Sequence, residues 1–307
     1  VERYWTMSMR SHLLGLQAAL WTEFCEKKED VDYLLYPRLA AVSEAAWSSP
    51  MAKRWERFVM MLDDYREKWE MKGVRSSMSE YNVKHEVMPS FGDLKVALSC
   101  IRPDVEIRYT TDGSEPHEYS MLYRRPWVVK QSQTVKCATF KEGKQVGQTL
   151  VVPIQVTGIT GHNVLRSNSV ERRLVNGVRG SLKNTDGEWA FWSKNDSIAL
   201  TFDVGSRKRL GCVSLGYLND FGLGIHKPYN VEVWLSDNDV HYWKVSERVF
   251  ERDEVFVEGR FVKDLELKFE DVARYVRVIM KGAGKCPERH VRPGLEAQIY
   301  LDEVLIE

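Results

Sequence analysis

Apolar residues crowd together between Leu13 and Leu20, spread to helical spacing over the next fifty residues, and beyond residue 84 fall into short alternating runs. The first run, "LLGLQAALWTEF", predicts a buried strand that ends on Trp21 and Glu23. Val31, Leu34, Leu35, Leu39, Val42 and Ala46 then mark a helix that Pro37 breaks or restarts. In "SSPMAKRWERFVMMLDDYREKWEMKGV", Ser49 is placed to cap a second helix, Pro50 suits its first position and Gly73 follows as a stop. Trp55, Phe58, Val59, Leu62, Tyr65 and Trp69 share one face of it, a packing surface and not a cofactor box.

From Val87 to about Val156 the period shortens to two. "EIRYTTDGSEP" alternates Ile107 and Tyr109 with polar neighbours and turns at Asp112-Gly113, and "TVKCATFKEGKQVGQTLVV" reads as strand, turn, strand. "TGITGH", Thr157 to His162, is a linker into a third block with strands in "SIALTFDV", "RLGCVSLGYL", "YNVEVWLSD", "ARYVRVIM" and "YLDEVLIE". The expected division is 1–83, 84–157 and 158–307, a multidomain and mainly β chain.

Composition narrows the partners more than the fold. Among 307 residues, 44 basic balance 44 acidic ones, which leaves no electrostatic footprint for nucleic acid and no basic block for a membrane surface. Nothing approaches about 18 consecutive apolar residues, so no membrane span is expected, and "VERY" does not begin a signal peptide. Cys25, Cys100, Cys137, Cys212 and Cys286 form no CxxC pair and are expected as buried, unpaired thiols.

Trp21 and Glu23 carry the first candidate chemistry. In an extended chain residues i and i+2 point to the same side, so indole and carboxylate would enter one cavity. A flat indole lies well against the C–H face of a pyranose, and a carboxylate accepts hydrogen bonds from two neighbouring hydroxyls. On spacing alone, a buried Trp beside a Glu that opens a solvated helix is the alternative.

"LGLQAALWTEF" followed by "DYLLYPRLAAVSEAAW" resembles the end of the catalytic domain of family 20 glycoside hydrolases, the β-N-acetylhexosaminidases. The resemblance implies the eighth strand and helix of a (β/α)8 barrel, so residues 1–83 would be a partial barrel of one strand plus helices. "IRYTTDGSEP" is similar to the small immunoglobulin- or fibronectin-like β-sandwich that follows the barrel in many bacterial members. "LVNGVRG", "ARYVRVIM" and "YLDEVLIE" resemble a discoidin-like jelly-roll module of the type used for carbohydrate binding. The whole then reads as the C-terminal portion of a longer hexosaminidase, bacterial and periplasmic, cell-surface or secreted.

By the same resemblance, Trp21 walls an N-acetylglucosamine pocket and Glu23 binds the outer hydroxyls. The glycan would end in an N-acetylhexosamine, hydrolysed with retention by its own acetamido oxygen, an Asp and an adjacent Glu. That Asp-Glu pair belongs to the fourth barrel strand. Asp253-Glu254 and Asp302-Glu303 both lie in the third block and neither is expected to be catalytic, so this chain alone would be inert. No cofactor is required. Modules of the discoidin type often hold a structural Ca²⁺, and the corresponding oxygens here are those of Asn176, Ser181 and Glu303, with Asn176 standing where an acidic residue is usual. Trp192, Phe221, His226 and Arg292 are the candidate sugar contacts of that module. The alternative is a non-catalytic carbohydrate-binding or adhesion protein, and the helices of residues 13–71 are expected to self-associate through their apolar faces.

Overall fold

The computed structural model describes residues 6, 8, 12, 14–23, 25–90, 92–193 and 197–307. The protein is mainly β, with 40% of the described residues in strands and 16% in helices. Among the described residues no helix is long and apolar enough to cross a membrane. The chain forms two compact units, one of residues 1–82, 100–106 and 139–148, the other of residues 83–99, 107–138 and 149–307.

The first unit is built on α1 (Lys28–Leu35), α2 (Arg38–Trp47) and α3 (Trp55–Met71). Pro37 separates α1 from α2, as its missing N–H dictates. Arg38 closes the break by donating to the Tyr33 and Leu34 carbonyls at the end of α1. Of the predicted stripe on α3, Phe58, Val59 and Leu62 are buried with Ala40 and Trp69 against them, whereas Trp55 and Tyr65 are exposed. That helix begins at Trp55 and not at Pro50, because Ser49 closes a separate turn by accepting the Ala52 N–H at 2.9 Å. Gly73, at φ +68°, ends it as expected.

Residues 14–22 form no strand. A strand is stable only where a neighbour completes its hydrogen-bond ladder, and no described residue pairs with this stretch. Leu13 and Phe24, at its two ends, lie outside the described residues.

The second unit has two cores. Around the smaller, β1 (Lys84–Ser90), β2 (Asp93–Ser99) and β5 (Trp127–Val129) make one antiparallel sheet. β3 (Glu106–Thr110), β4 (Met121–Leu122), β6 (Gln133–Lys141) and β8 (Leu150–Ile154) make the other, and β7 (Lys144–Gln145), which pairs with the end of β6, belongs with residues 139–148 to the first unit. Val87, Leu94, Val96, Val129, Val135, Val152 and Ile154 fill the space between, each the inward residue of an alternating strand. Asp112 holds the predicted turn by accepting the Ser114 N–H at 3.0 Å.

The larger core belongs to a seven-stranded sheet: β9 (Asn163–Leu165), β10 (Ala190–Trp192), β11 (Ile198–Asp220), β12 (Asn230–Ser236), β13 (Trp243–Val249), β14 (Arg260–Lys281) and β15 (Ile299–Ile306). β11 and β14 run antiparallel over more than twenty residues each, with register breaks between Asp203 and Lys208 and between Leu210 and Cys212. Such breaks bend a long ribbon, so one continuous sheet encloses Phe202, Leu215, Val233, Val276 and Leu301. A short helix, α4 (Arg252–Val255), closes one end.

Candidate functional site

The end of β11 and the loops beside it assemble the densest cluster of functional side chains. Asp220 closes the Phe221–Gly224 turn by accepting the Leu223 N–H at 3.0 Å, and Ile225 then bridges back to Asp220 and across to Gln298. His226 is thereby delivered beneath the turn, 1% exposed. Its Nδ1 lies 3.1 Å from Asn219 Oδ1, and its Nε2 lies 3.0 Å from His290 Nε2. Phe221 covers His290 at 4.0 Å between ring centres, and Phe256 meets His226 edge-on at 5.0 Å.

The partners fix the tautomers. Asn219 spends its amide hydrogens on the Val257 and Gly259 carbonyls, so its oxygen faces His226 and Nδ1 of that ring donates. The Arg292 N–H donates to His290 Nδ1 at 2.9 Å, which leaves the proton of His290 on Nε2, donating to His226 Nε2. Burial first, and then the charge His290 would carry, press the His226 pKa down to about 4; burial lowers that of His290 as well. Both rings are neutral at pH 7.

Cys286 Sγ lies within 4.8 Å of both ring nitrogens, a set of atoms with the chemistry of a zinc site. The geometry argues for a relay instead. With Nε2 atoms 3.0 Å apart and ring centres 5.1 Å apart, the two rings point almost straight at each other. An ion about 2.0–2.1 Å from both nitrogens would have to sit off that line, and the Arg292 N–H holds His290 in the wrong tautomer for it.

Of the four predicted sugar contacts, the structure brings together three. Phe221 is half-buried and Arg292 exposed at the rim, its Nε donating to the Gly222 carbonyl at 2.7 Å. His226 lies under them and supports the surface without lining it. Trp192 sits apart on β10, half-buried against the larger core. His290, Cys286 and Asn219 were not anticipated, although "CPERH" carries two of them four residues apart.

Trp21 is 77% exposed and Glu23 is exposed in a turn. Asn176 is buried, its Oδ1 accepting the Val178 N–H and its amide donating to Glu188. Ser181 is exposed and bound to Asp186 through both N–H and hydroxyl. Glu303 is buried and accepts the Gly177 N–H at 3.0 Å.

Two segments of the chain match known protein families. Residues 1–50 match the family described as glycosyl hydrolase family 20, catalytic domain, and residues 90–151 match the chitobiase/beta-hexosaminidase C-terminal domain. Each match covers part of this chain. A β-hexosaminidase of Porphyromonas gingivalis is 31% identical over 140 residues, 43% of this chain and 17% of that protein. A β-N-acetylhexosaminidase of Cellulomonas fimi is 35% identical over 63 residues, 20% of this chain and 13% of that protein. The chain thus spans less than a fifth of the length of these hexosaminidases. Among solved structures, a chitosan-binding module of a Paenibacillus chitosanase/glucanase aligns with 49% of this chain and 96% of its own, at 12% identity and TM-score 0.32. The C-terminal domain of a Bacteroides fragilis chitobiase aligns with 44% of this chain and 77% of its own, at 15% identity and TM-score 0.26.

Proposed function

We propose that this chain is the C-terminal portion of a retaining β-N-acetylhexosaminidase that removes terminal N-acetylglucosamine or N-acetylgalactosamine from glycans. The observation that carries the reading is the family 20 catalytic-domain match over residues 1–50, which contains Trp21-Thr22-Glu23. The C-terminal-domain match follows it in the order such an enzyme requires.

In this reading Trp21 stacks on the sugar and Glu23 grips its outer hydroxyls, aiming C1 at the acetamido oxygen, while the general acid/base and its partner Asp come from the rest of the catalytic domain. Both side chains are solvent-accessible here and free to meet a ligand. The chain by itself holds one wall of a pocket and no catalytic pair. The test is hydrolysis of an aryl N-acetyl-β-glucosaminide: the full-length polypeptide should turn it over and residues 1–307 should not. A full-length protein that binds the sugar without cleaving it would favour the second reading, a carbohydrate-binding protein. Phe221 and Arg292, at the rim of the loop cluster, favour that reading for the β unit.

A further inference from the structure

The loop from Asn176 to Ser181 wraps two buried carboxylates, Asp302 and Glu303, at the start of the last strand's outer half. Hard divalent ions are held by convergent oxygens, with backbone carbonyls prominent among them. Here two of the loop's carbonyls, and that of Val175 before it, are engaged elsewhere. That of Val175 accepts the Gly161 N–H and that of Gly177 accepts the Gln155 N–H, both at 2.8 Å, and that of Ser181 accepts the Trp189 indole N–H at 3.2 Å. Two N–H groups turn toward the carboxylates instead: Gly177 donates to Glu303 at 3.0 Å and Gly180 to Asp302 at 2.9 Å. A donor-lined loop is chemically the wrong lining for calcium.

A cation is nevertheless present in covalent form. Arg179 Nε lies 3.0 Å from Asp302 Oδ2, and its Nη2 donates to Asp264 Oδ1 at 2.6 Å. The Asp302 side chain is fully buried while that of Arg179 retains 27% exposure, so the guanidinium plugs the cradle from its open side. The cradle is shaped for it. A Cβ at Gly216 would lie 2.0 Å from Asp302 Oδ1 and 2.7 Å from Arg179 Nη2, so only glycine at that position of β11 leaves room for the pair. Gly180 and Gly177 allow equally close approach, to the Trp189 ring and to the Gln155 carbonyl.

We propose that Arg179 is the resident cation of this loop, neutralising the buried Asp302 so that the module's fold does not depend on calcium. Charge balance supports it. The buried Asp302 carboxylate lies 3.0 Å from the Arg179 guanidinium, whose other end donates to Asp264. One guanidinium thus faces Asp302, with Asp264 at the surface.

The experiment is thermal unfolding of the chain in millimolar calcium and in chelator, paired with terbium luminescence sensitised by Trp189, whose ring lies against the loop. For the wild type we expect the same Tm in both solutions and no sensitised emission. Arg179→Ala should lower Tm by roughly 10 °C, and low guanidinium should restore part of it, whereas calcium should not. Arg179→Lys keeps a charge without the fork, and should fold with a smaller loss. A wild-type Tm that falls in chelator, or calcium-competed terbium emission from the wild type, overturns the proposal. An Arg179→Ala Tm equal to that of the wild type does so as well.

Discussion

Arg102 donates to both oxygens of Asp63, Nη1 to Oδ1 at 3.0 Å and Nη2 to Oδ2 at 2.8 Å, with an Arg102 side chain that has no solvent exposure at all. The pair is the centre of the first unit's polar network. Asp104 takes Arg102 Nε at 2.8 Å, Lys141 reaches both carboxylates, and the Tyr81 hydroxyl donates to Asp63 while its ring lies 4.4 Å from the guanidinium. Three segments far apart in sequence are tied to α3 by it.

Asp63→Ala leaves a buried guanidinium with half its partners. We expect a loss of about 2–3 kcal/mol in urea unfolding, with Asp63→Asn in between. A change below about 0.5 kcal/mol would show the network to be ornamental. Acid should act on the same place. Hydrogen bonds from Arg102 hold the Asp104 pKa down to about 2, and Asp63 is depressed too, its donors outweighing burial. A depressed carboxylate stabilises fully above its unfolded value, near 4, and that contribution disappears as pH falls from about 4 to 2.

His226 gives a second pH dependence, higher on the scale. The unfolded imidazole takes up a proton below about pH 6.5, whereas the folded ring resists until about 4. Stability should therefore decline as pH falls through that window, by about one proton's slope for this ring, with His290 adding its own share. His226→Phe retains the ring contacts and should flatten the curve. An unchanged slope in the variant would assign the titration elsewhere.

On the proposed function, Trp21 and Glu23 should separate by kinetics in the full-length protein. Stacking in both ground and transition states makes Trp21→Ala raise KM mainly. Glu23→Gln should lower kcat/KM by roughly tenfold to a hundredfold with part of the loss in kcat. Melting temperature is the control: both residues are exposed, so neither substitution should move it. Wild-type kcat/KM in folded Glu23→Gln would remove Glu23 from the site.

Residues 13–71 should drive self-association of the isolated chain. Trp47, Met51, Met60 and Met71 are exposed, and a groove of about 380 Å³ opens between Leu39, Trp47, Tyr65 and Trp69. Light scattering should show concentration-dependent mass at micromolar chain, and Met60→Lys with Trp47→Lys should reduce it. A monomer across the micromolar to millimolar range would contradict the expectation.

Local chemistry was readable wherever it is local. Pro37 ended a helix because its nitrogen has no hydrogen, Gly73 stopped another because only glycine adopts φ +68° freely, and alternation placed Ile107 and Val135 on strands. Trp21-Thr22-Glu23 lies within residues 1–50, which match the family 20 catalytic-domain model. The predicted strand around it was not realised, since a strand depends on what lies beside it. His226 and His290 are 64 residues apart, and nothing in either neighbourhood announces a shared hydrogen bond. Asn176, Ser181 and Glu303 promised oxygens for an ion, but which way a carbonyl or an N–H points is set by the partners that Gln155, Gly161 and Trp189 bring from elsewhere. Sequence by itself determined the periodicity, the turns and the order of the blocks, because those follow from steric rules acting over a few residues. Only the tertiary structure decided that Arg179 faces Asp302 across 123 positions of chain, because the cost of burying a carboxylate is met by whichever charge the fold brings within reach.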